Sequence, residues 1–279
     1  MITVVEKVNS RIDAVTKYVL SDNTFGKNEV SIIRKADKII FCIPTQTNCK
    51  MGCTFCHLTG TTRKAQNLTV EWLVNVVDFL VTAEYDCNGH KDLLISFMGV
   101  GEPLLNMKSL IGCMAALNAK YDRIRFGIST MMPNVSAITE LIQWSLENPT
   151  CRVKLHLSVH GIFNRHEFVK SIVNISDAIA LVQDFHQVTQ NPIEYHYTLV
   201  NGVNDGVDEL NEFNSIITGD GSTVKFLTLS ETNGYKNSLI SQACIRALFP
   251  NNVVEFYNPP GRDVGASCGM FDIELYNEQ

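Results

Sequence analysis

Six segments rich in β-branched and apolar residues recur along the chain, and each is followed by a helical pattern. The strand-like segments are residues 38–44, 92–98, 123–129, 152–159, 193–200 and 223–229. The helical patterns cover residues 69–85, 107–119, 135–147, 175–188, 207–217 and 236–247. Strands that alternate with helices form a parallel sheet. Six such units do not close an eightfold barrel, so the sequence predicts an α/β fold with an open, partial (β/α)6 TIM-like barrel.

The N-terminal region has a different pattern. Residues 9–20 carry apolar side chains at Ile12, Val15, Tyr18 and Val19, a spacing typical of a helix. Residues 21–28 predict a loop, whereas residues 29–33 and 38–44 are β-rich and can pair. We therefore expect an extension with a short N-terminal helix over residues 1–28, and a core domain over residues 29–279.

Two of the predicted strands alternate between apolar and polar residues. The polar residues are Lys154, His156, Ser158 and His160 in one strand, and Glu194, His196 and Thr198 in the other. In a parallel barrel the apolar face packs under the helices, so the polar face points into the lumen. This pattern predicts a binding site in the lumen, although His156 and His196 are as readily interpreted as satisfied core histidines.

Three cysteines follow the first strand of the predicted barrel in the spacing CxxxCxxC, at Cys49, Cys53 and Cys56. Thiolates bind iron, and an iron–sulfur cluster of four irons normally takes four protein thiolates. Three thiolates leave one iron open to a ligand that is not protein. The alternative is a structural zinc ion with His57 or Cys42 as the fourth ligand. Zinc sites usually pair two short clips, and this sequence has one.

Five segments, taken in order, resemble one known family. They are residues 46–60 (QTNCKMGCTFCHLTG), 97–106 (FMGVGEPLLN), 155–161 (LHLSVHG), 199–205 (LVNGVND) and 261–270 (GRDVGASCGM). The cysteine spacing alone is the signature of the radical S-adenosylmethionine (SAM) superfamily. The five segments together resemble the ribosomal RNA adenine-C2 methyltransferases and their C8 antibiotic-resistance relatives. The resemblance extends from about residue 29 to residue 271.

The resemblance implies two cofactors and the residues that hold them. It implies a 4Fe-4S cluster on Cys49, Cys53 and Cys56, with SAM bound to the open iron. The implied SAM contacts are Gly101, Glu102, Ser129, Ser158, Val159, His160 and Asn233. Glu102, in a glycine-rich turn after a strand, suits the ammonium group of SAM. Asn233 lies in a segment (SETNG) that departs from the family pattern.

The resemblance also implies catalytic roles for Cys268, Cys42 and Glu29. In the family, one SAM methylates the cysteine at the Cys268 position, and a second SAM yields a 5′-deoxyadenosyl radical that takes a hydrogen from that methyl group. The carbon radical adds to an adenine ring carbon, and the cysteine at the Cys42 position resolves the adduct through a disulfide. Glu29 matches the proposed proton acceptor. Without the resemblance, these residues are interpreted as a chance loop thiol, a buried strand cysteine and an exposed carboxylate.

Composition bears on the substrate and the compartment. The net charge is −6, and the basic clusters at residues 34–38, 63–64 and 120–125 are interpreted as solvated faces. Because phosphate contacts dominate affinity for RNA, we do not expect the chain to bind a large RNA alone. Only 28 residues precede Glu29, and we therefore expect the family's N-terminal RNA-binding domain to be absent. The substrate is then a smaller RNA such as tRNA, or rRNA reached through a recruiting partner.

The sequence has nine cysteines, an odd number, and no apolar run near the ~18 residues of a membrane span. We therefore expect a cytoplasmic monomer, served by an electron donor of the flavodoxin or ferredoxin type. Three hypotheses remain: a radical SAM methyltransferase of RNA adenine, a radical SAM enzyme of the same build acting on a peptide or small molecule, and a non-catalytic metal-binding protein.

Overall fold

The computed structural model describes residues 2–85, 92–170, 172–217 and 222–277. Its strands form one ten-stranded sheet whose strand order follows the sequence. The strands are β1 (Thr3–Asn9), β2 (Val15–Asp22), β3 (Gly26–Arg34), β4 (Lys38–Cys42), β5 (Asp92–Phe97), β6 (Ile124–Thr130), β7 (Val153–Ser158), β8 (Ile193–Leu199), β9 (Thr223–Thr228) and β10 (Val253–Tyr257).

The helices connect the later strands. They are α1 (Val70–Glu84), α2 (Met107–Lys120), α3 (Val135–Glu147), α4 (Arg165–Phe168), α5 (Ile175–Thr189), α6 (Val207–Ile217), α7 (Gln242–Leu248) and α8 (Ile273–Asn277), with short 3-10 helices at Pro103–Asn106 and Arg262–Val264. None of the helices within the described ranges is both long enough and apolar enough to span a membrane.

Strands β4 to β10 run parallel to one another, and helices lie between them in the chain, whereas β4 is antiparallel to β3 on its other side. The apolar faces of these strands pack with the helices in one large core, which includes Leu155 and Leu157 of β7 and Leu73 and Val77 of α1. All six predicted barrel strands are confirmed as β4 to β9. The polar faces are left to line the inside of a partial barrel, as predicted.

The prediction of a short N-terminal helix is wrong. Residues 9–20 instead end β1 and form most of β2, which pairs antiparallel with β1 and β3. Six consecutive residues of β2, from Val15 to Leu20, are buried, so both faces of the strand are covered. Burial on both faces hides the alternation that reveals a strand. Ile12, assigned to the apolar helical stripe, lies in the turn before β2 and is 71% exposed.

Strand β3 begins at Gly26, within the segment predicted as a loop, and runs past residue 29. The sheet is therefore continuous across the predicted boundary. The division into residues 1–28 and 29–279 stays a prediction.

Two further differences lie near the C-terminus. The predicted helix over residues 236–247 is wrong in its first half, since α7 begins at Gln242 with Ser241 as its cap. The preceding residues form a loop in which the Asn237 side chain accepts from Leu229 N at 2.7 Å. Strand β10, which extends the parallel sheet beside β9, was not predicted. It is short, and Val253 at its start is 58% exposed.

Candidate active site

The three clip cysteines lie on a loop between β4 and α1. The loop contains a tight turn in which Cys56 N donates to Cys53 O at 2.9 Å, and Gly52 supplies a positive φ of 61°. All three thiols are free. Burial raises the pKa of Cys49 to about 11 and that of Cys56 to about 12. Burial also raises the pKa of Cys53, and the neighbouring thiols of Cys49 and Cys56 raise it further.

The spacing of the cysteine sulfurs distinguishes a cluster from a single ion. Ligands about 2.3 Å from a tetrahedral zinc lie roughly 3.8 Å apart. Across the described ranges, the only group of three His, Cys, Asp or Glu residues whose ligand atoms all lie within 4.8 Å is His156, Glu194 and His196. At least one pair of the clip sulfurs therefore lies farther apart than two sulfurs on a tetrahedral zinc ion. Their donor set fits a cluster that spreads three thiolates over three irons.

The glycine-rich turn after β5 packs against the end of β4. A Cβ on Gly99 would lie 2.7 Å from the carbonyl carbon of Ile43, and one on Gly101 would lie 2.8 Å from Gln46 N. Gly101 also has a φ of 104°, which side chains other than hydrogen rarely adopt. These two close approaches require glycine and bring Glu102 beside the cysteine loop.

Glu102 is buried and held by three protein donors. Its Oε1 accepts from Leu104 N at 3.1 Å and from Thr130 Oγ1 at 2.6 Å, and its Oε2 accepts from Met131 N at 2.9 Å. Burial raises its pKa, while these hydrogen bonds oppose the rise. A carboxylate has about four acceptor positions. Among the described residues only Met131 N donates to Oε2, so one position on that oxygen is available for a ligand's donor.

The other residues implied as SAM contacts lie at or just after the ends of strands, and two of them contact the cysteine loop. Ser129 is the penultimate residue of β6 and Ser158 the last of β7, and their hydroxyl oxygens lie 3.4 Å apart. His160 packs edge-on against Phe55 at 5.1 Å, and Asn233 Nδ2 donates to Thr54 O at 2.8 Å. The side chain of Val159 is in the apolar core, so only its backbone can reach a ligand.

The ring of His160 is neutral and acts as an acceptor. Its Nδ1 accepts from Thr198 N at 2.9 Å, and its backbone φ is 54°. Burial and the nearby charge of Arg165 lower its pKa to about 3. The structure therefore fixes this histidine by the hydrogen bond and the aromatic contact together.

Arg165 is a site residue that the sequence reasoning missed. Its guanidinium is buried and donates to backbone carbonyls of Val159 at 2.8 Å, Met131 at 2.8 Å, Ser158 at 3.0 Å and Val173 at 3.3 Å. It thereby ties together the ends of β6 and β7. The charges of Cys53 and Glu102 act on it and oppose the fall in its pKa that burial causes.

Cys42, Cys268 and Glu29 line one cavity of about 740 Å³ inside the barrel. Cys42 ends β4, and burial followed by the charge of Cys268 raises its pKa to about 12. Cys268 is exposed toward the cavity, and desolvation by the surrounding protein raises the pKa of its thiol. Its loop is anchored, since Ser230 Oγ donates to Cys268 O at 3.1 Å and His57 N donates to Gly269 O at 3.1 Å. The second bond joins this loop to the cysteine clip.

Glu29 is buried, which contradicts its interpretation as an exposed carboxylate. It forms an ion pair with Lys17, and Asp272 N donates to it at 3.4 Å. Burial raises its pKa, whereas the charge of Lys17 opposes the rise. Lys17 was missed because it falls in the wrongly predicted helix. Its Nζ also lies 3.5 Å from Gly265 O, in the Cys268 loop.

The lumen carries four of the polar residues predicted for β7 and β8. Lys154, His156, Glu194 and His196 line the cavity, as does Lys225 of β9. Glu194 Oε1 contacts His196 Nε2 and Lys225 Nζ, each at 2.6 Å, and Oε2 forms an ion pair with Lys154. Burial alone would raise the pKa of Glu194, but these partners hold it well below its usual value.

Known proteins with similar sequences are named as RNA methyltransferases. No protein-family model matches the sequence. A dual-specificity RNA methyltransferase RlmN of Geotalea uraniireducens is 28% identical over 274 residues, covering 95% of this chain and 77% of that protein. The ribosomal RNA large subunit methyltransferase N of Nitrosopumilus maritimus is 28% identical over 249 residues, covering 84% and 68%. The chain is a homologue of these radical SAM methyltransferases.

This similarity identifies the chain as an enzyme, so the hypothesis of a non-catalytic metal-binding protein is wrong. The cofactors of its class are a 4Fe-4S cluster and SAM. A solved radical SAM methyltransferase from Sphaerobacter thermophilus superposes with a TM-score of 0.80 at 21% identity, covering 98% of this chain and 81% of that one. At this level of identity, the similarity shows that the two proteins share a fold.

Proposed function

We propose that this methyltransferase acts on an RNA and adds a methyl group to an adenine ring carbon, C2 or C8, by way of a methyl group carried on Cys268. The observation that carries the proposal is that Cys42 and Cys268 line one cavity, next to the cysteine loop. Two thiols facing one cavity suit a mechanism in which one holds the methyl group and the other releases the product.

The bound cofactors supply the methyl group and the deoxyadenosyl radical. Cys49, Cys53 and Cys56 hold the cluster. The free acceptor position of Glu102 Oε2 suits the ammonium group of SAM, because a charge-assisted hydrogen bond there adds to three existing ones. Gly101, Ser129, Ser158, the backbone of Val159, His160 and Asn233 complete the proposed SAM site around the cysteine loop and the strand ends.

Within the cavity, each of three residues has one task. The Cys268 sulfur carries the methyl carbon that becomes bonded to the adenine. Glu29, whose pKa is raised by burial, accepts the proton that leaves the ring carbon. The adduct also gives up one electron, which the cluster would take back. The Cys42 sulfur then forms a bond to the Cys268 sulfur while the bond from that sulfur to the methyl-derived carbon breaks. The electron pair of the broken bond stays on that carbon, which takes up the proton of the Cys42 thiol and becomes the methyl group. The product leaves, and the disulfide must be reduced by a thiol donor before another turnover.

The charge of the cavity supports an anionic substrate. Although the chain carries a net charge of −6, its cavity is lined by seven basic residues and three acidic ones among the described residues. The basic residues are Lys17, Lys35, Lys38, Arg125, Arg152, Lys154 and Lys225, and the acidic ones are Glu29, Glu194 and Glu255. Phosphates favour such a surface. The names of the homologues agree with an RNA substrate, either rRNA or tRNA.

The remaining parts of the proposal concern the cellular setting. We expect the enzyme to work as a monomer in the cytoplasm, with a flavodoxin-type or ferredoxin-type donor reducing its cluster.

The deciding experiment is a trap at Cys42. In Cys42→Ala protein purified from cells that build its cluster, the adduct cannot be resolved, so substrate RNA should remain covalently attached to Cys268. Nuclease digestion and peptide mass spectrometry then identify the nucleotide and the carbon. Cys244→Ala, which removes a partly buried thiol outside the cavity, is the matched control and should carry no RNA. Absence of RNA on Cys42→Ala would favour a peptide or small-molecule substrate.

A further inference from the structure

His156 is a buried polar side chain without a partner. It is 9% exposed, and neither of its ring nitrogens has a hydrogen-bond partner among the described residues. An unmade hydrogen bond on a buried group costs about 1–3 kcal/mol. Most buried polar groups are satisfied, so an unsatisfied one indicates a ligand or an ordered water.

The empty side of His156 faces the cavity that holds the two reactive cysteines. Cys42 of β4 pairs with Ser96 of β5, and Ser96 pairs with Gly127 of β6. A Cβ on Gly127 would lie 3.6 Å from His156 Cε1 and 3.8 Å from Ser96 Oγ. The absence of a side chain at Gly127 therefore opens a space on the cavity wall, two strands away from Cys42 and directly beside the imidazole.

The charges around His156 disfavour an ion as the ligand. Glu194 is the nearby carboxylate, but Lys154 and Lys225 already hold its two oxygens, and their ammonium groups repel a metal ion. The same ion pairs offset the positive charges of the two lysines, so this part of the wall does not favour an anion either. His156 itself is neutral, because burial and the neighbouring His196 keep its pKa well below the usual value.

A neutral imidazole offers one N–H donor and one nitrogen acceptor. A neutral, planar heterocycle with its own donors and acceptors is the complementary ligand. Adenine meets this description, with the N6 amino group as donor and ring nitrogens as acceptors.

We infer that His156 forms a hydrogen bond with the base edge of the target adenine, on the wall of the cavity beside Gly127. This inference rests on the proposed function, and it assigns His156 to substrate specificity. Glu194 and His196 position this wall, since the rings of His156 and His196 lie 4.7 Å apart and Glu194 fixes His196.

The test measures base binding separately from methyl transfer. The probes are fluorescent RNA hexamers of adenine and of uracil, titrated anaerobically into reconstituted holoenzyme and followed by anisotropy. We expect wild-type protein to prefer the adenine hexamer. His156→Phe should weaken adenine binding about tenfold, the effect of one lost buried hydrogen bond, and leave uracil binding within about twofold. His156→Gln, which keeps a donor and an acceptor, should retain most of the affinity.

Gly127→Leu provides a second variant, because it fills the space beside His156 without removing a polar group. It should show the same selective loss. The matched control is His166→Phe, since His166 is exposed on α4, and it should behave as wild type. Iron content and methylation of Cys268 should be normal in every variant, which separates base recognition from misfolding.

Two outcomes would overturn the inference. One is wild-type protein that does not prefer the adenine hexamer, or His156→Phe protein that binds it as wild type does. The other is an equal loss for both hexamers, which would indicate a structural role. If adenine preference depends on His156 but no methylated adenosine forms on cellular RNA, the inference stands and the proposed function fails.

Discussion

Replacing Arg165 should reveal how strongly one buried cation holds the site together. Arg165 donates three hydrogen bonds of 3.0 Å or shorter to the carbonyls of Met131, Ser158 and Val159, and a longer one to Val173. Arg165→Met keeps the length of the side chain but leaves these carbonyls without a donor.

The size of the effect follows from the bond count. Hydrogen bonds from a charged donor contribute about 1.5–3 kcal/mol each when measured singly. The three short bonds share one side chain and its desolvation cost, so their sum is not additive. Disrupting such a buried charged network typically costs about 3–5 kcal/mol. That loss is a large part of the ~5–15 kcal/mol that stabilises a typical folded protein.

The assay is denaturant-induced unfolding of reconstituted protein, compared with Arg246→Met. Arg246 is exposed and donates to a single carbonyl, Val254 O at 2.9 Å, so its replacement should cost less than about 1 kcal/mol. Arg165→Lys should fall between the two, since lysine keeps the charge but lacks the planar fork. An Arg165→Met protein within about 1 kcal/mol of wild type would refute the reasoning.

Three further predictions concern the cofactors and pH. Cys53→Ala should lower bound iron from about four atoms per chain toward zero; full retention of iron would contradict the cluster assignment. Glu102→Gln should weaken SAM binding about tenfold or more in calorimetry, because it removes the charge that suits an ammonium group; an unchanged dissociation constant would argue against that contact. His160 has a pKa of about 3 in the folded protein, which is below its value in the unfolded chain. The stability that the folded protein gains from a neutral His160 is therefore fully present above pH 6.5 and is lost as the pH falls toward 3. His160 should contribute about 1 kcal/mol per pH unit to the fall in the free energy of unfolding over that range, and the profile of His160→Gln should be shallower than that of the wild type by about that amount.

The parts of the fold that the sequence predicted are those with a simple period. Strands β4 to β9 have one face under helices, and the helices between them carry apolar stripes. Strand β2 was mistaken for a helix because covering both faces removes the period of two. Strand β10 escaped notice because its first residue is exposed and it is only five residues long.

The candidate site divides in the same way. The cysteine clip and the glycine-rich turn are local, and each could be found from spacing. Arg165 donates only to backbone carbonyls, which every residue has, so its contacts leave no sequence pattern. Lys17 and Glu29 lie on the adjacent strands β2 and β3, and their ion pair could not be predicted without the pairing of those strands. The approach of Cys42 to Cys268 joins β4 to a loop more than two hundred residues later. Resemblance predicted that pair, because spacing carries no information over such a separation.

The role of Cys268 is the central claim, and the mass of the peptide that contains it tests this claim most directly. In wild-type protein isolated from cells that assemble its cluster, the account predicts a methyl group on Cys268. Cluster-free Cys53→Ala protein from the same cells should have an unmodified Cys268, because methylation of the thiol requires the intact radical machinery. An unmodified Cys268 in active wild-type protein would contradict the account.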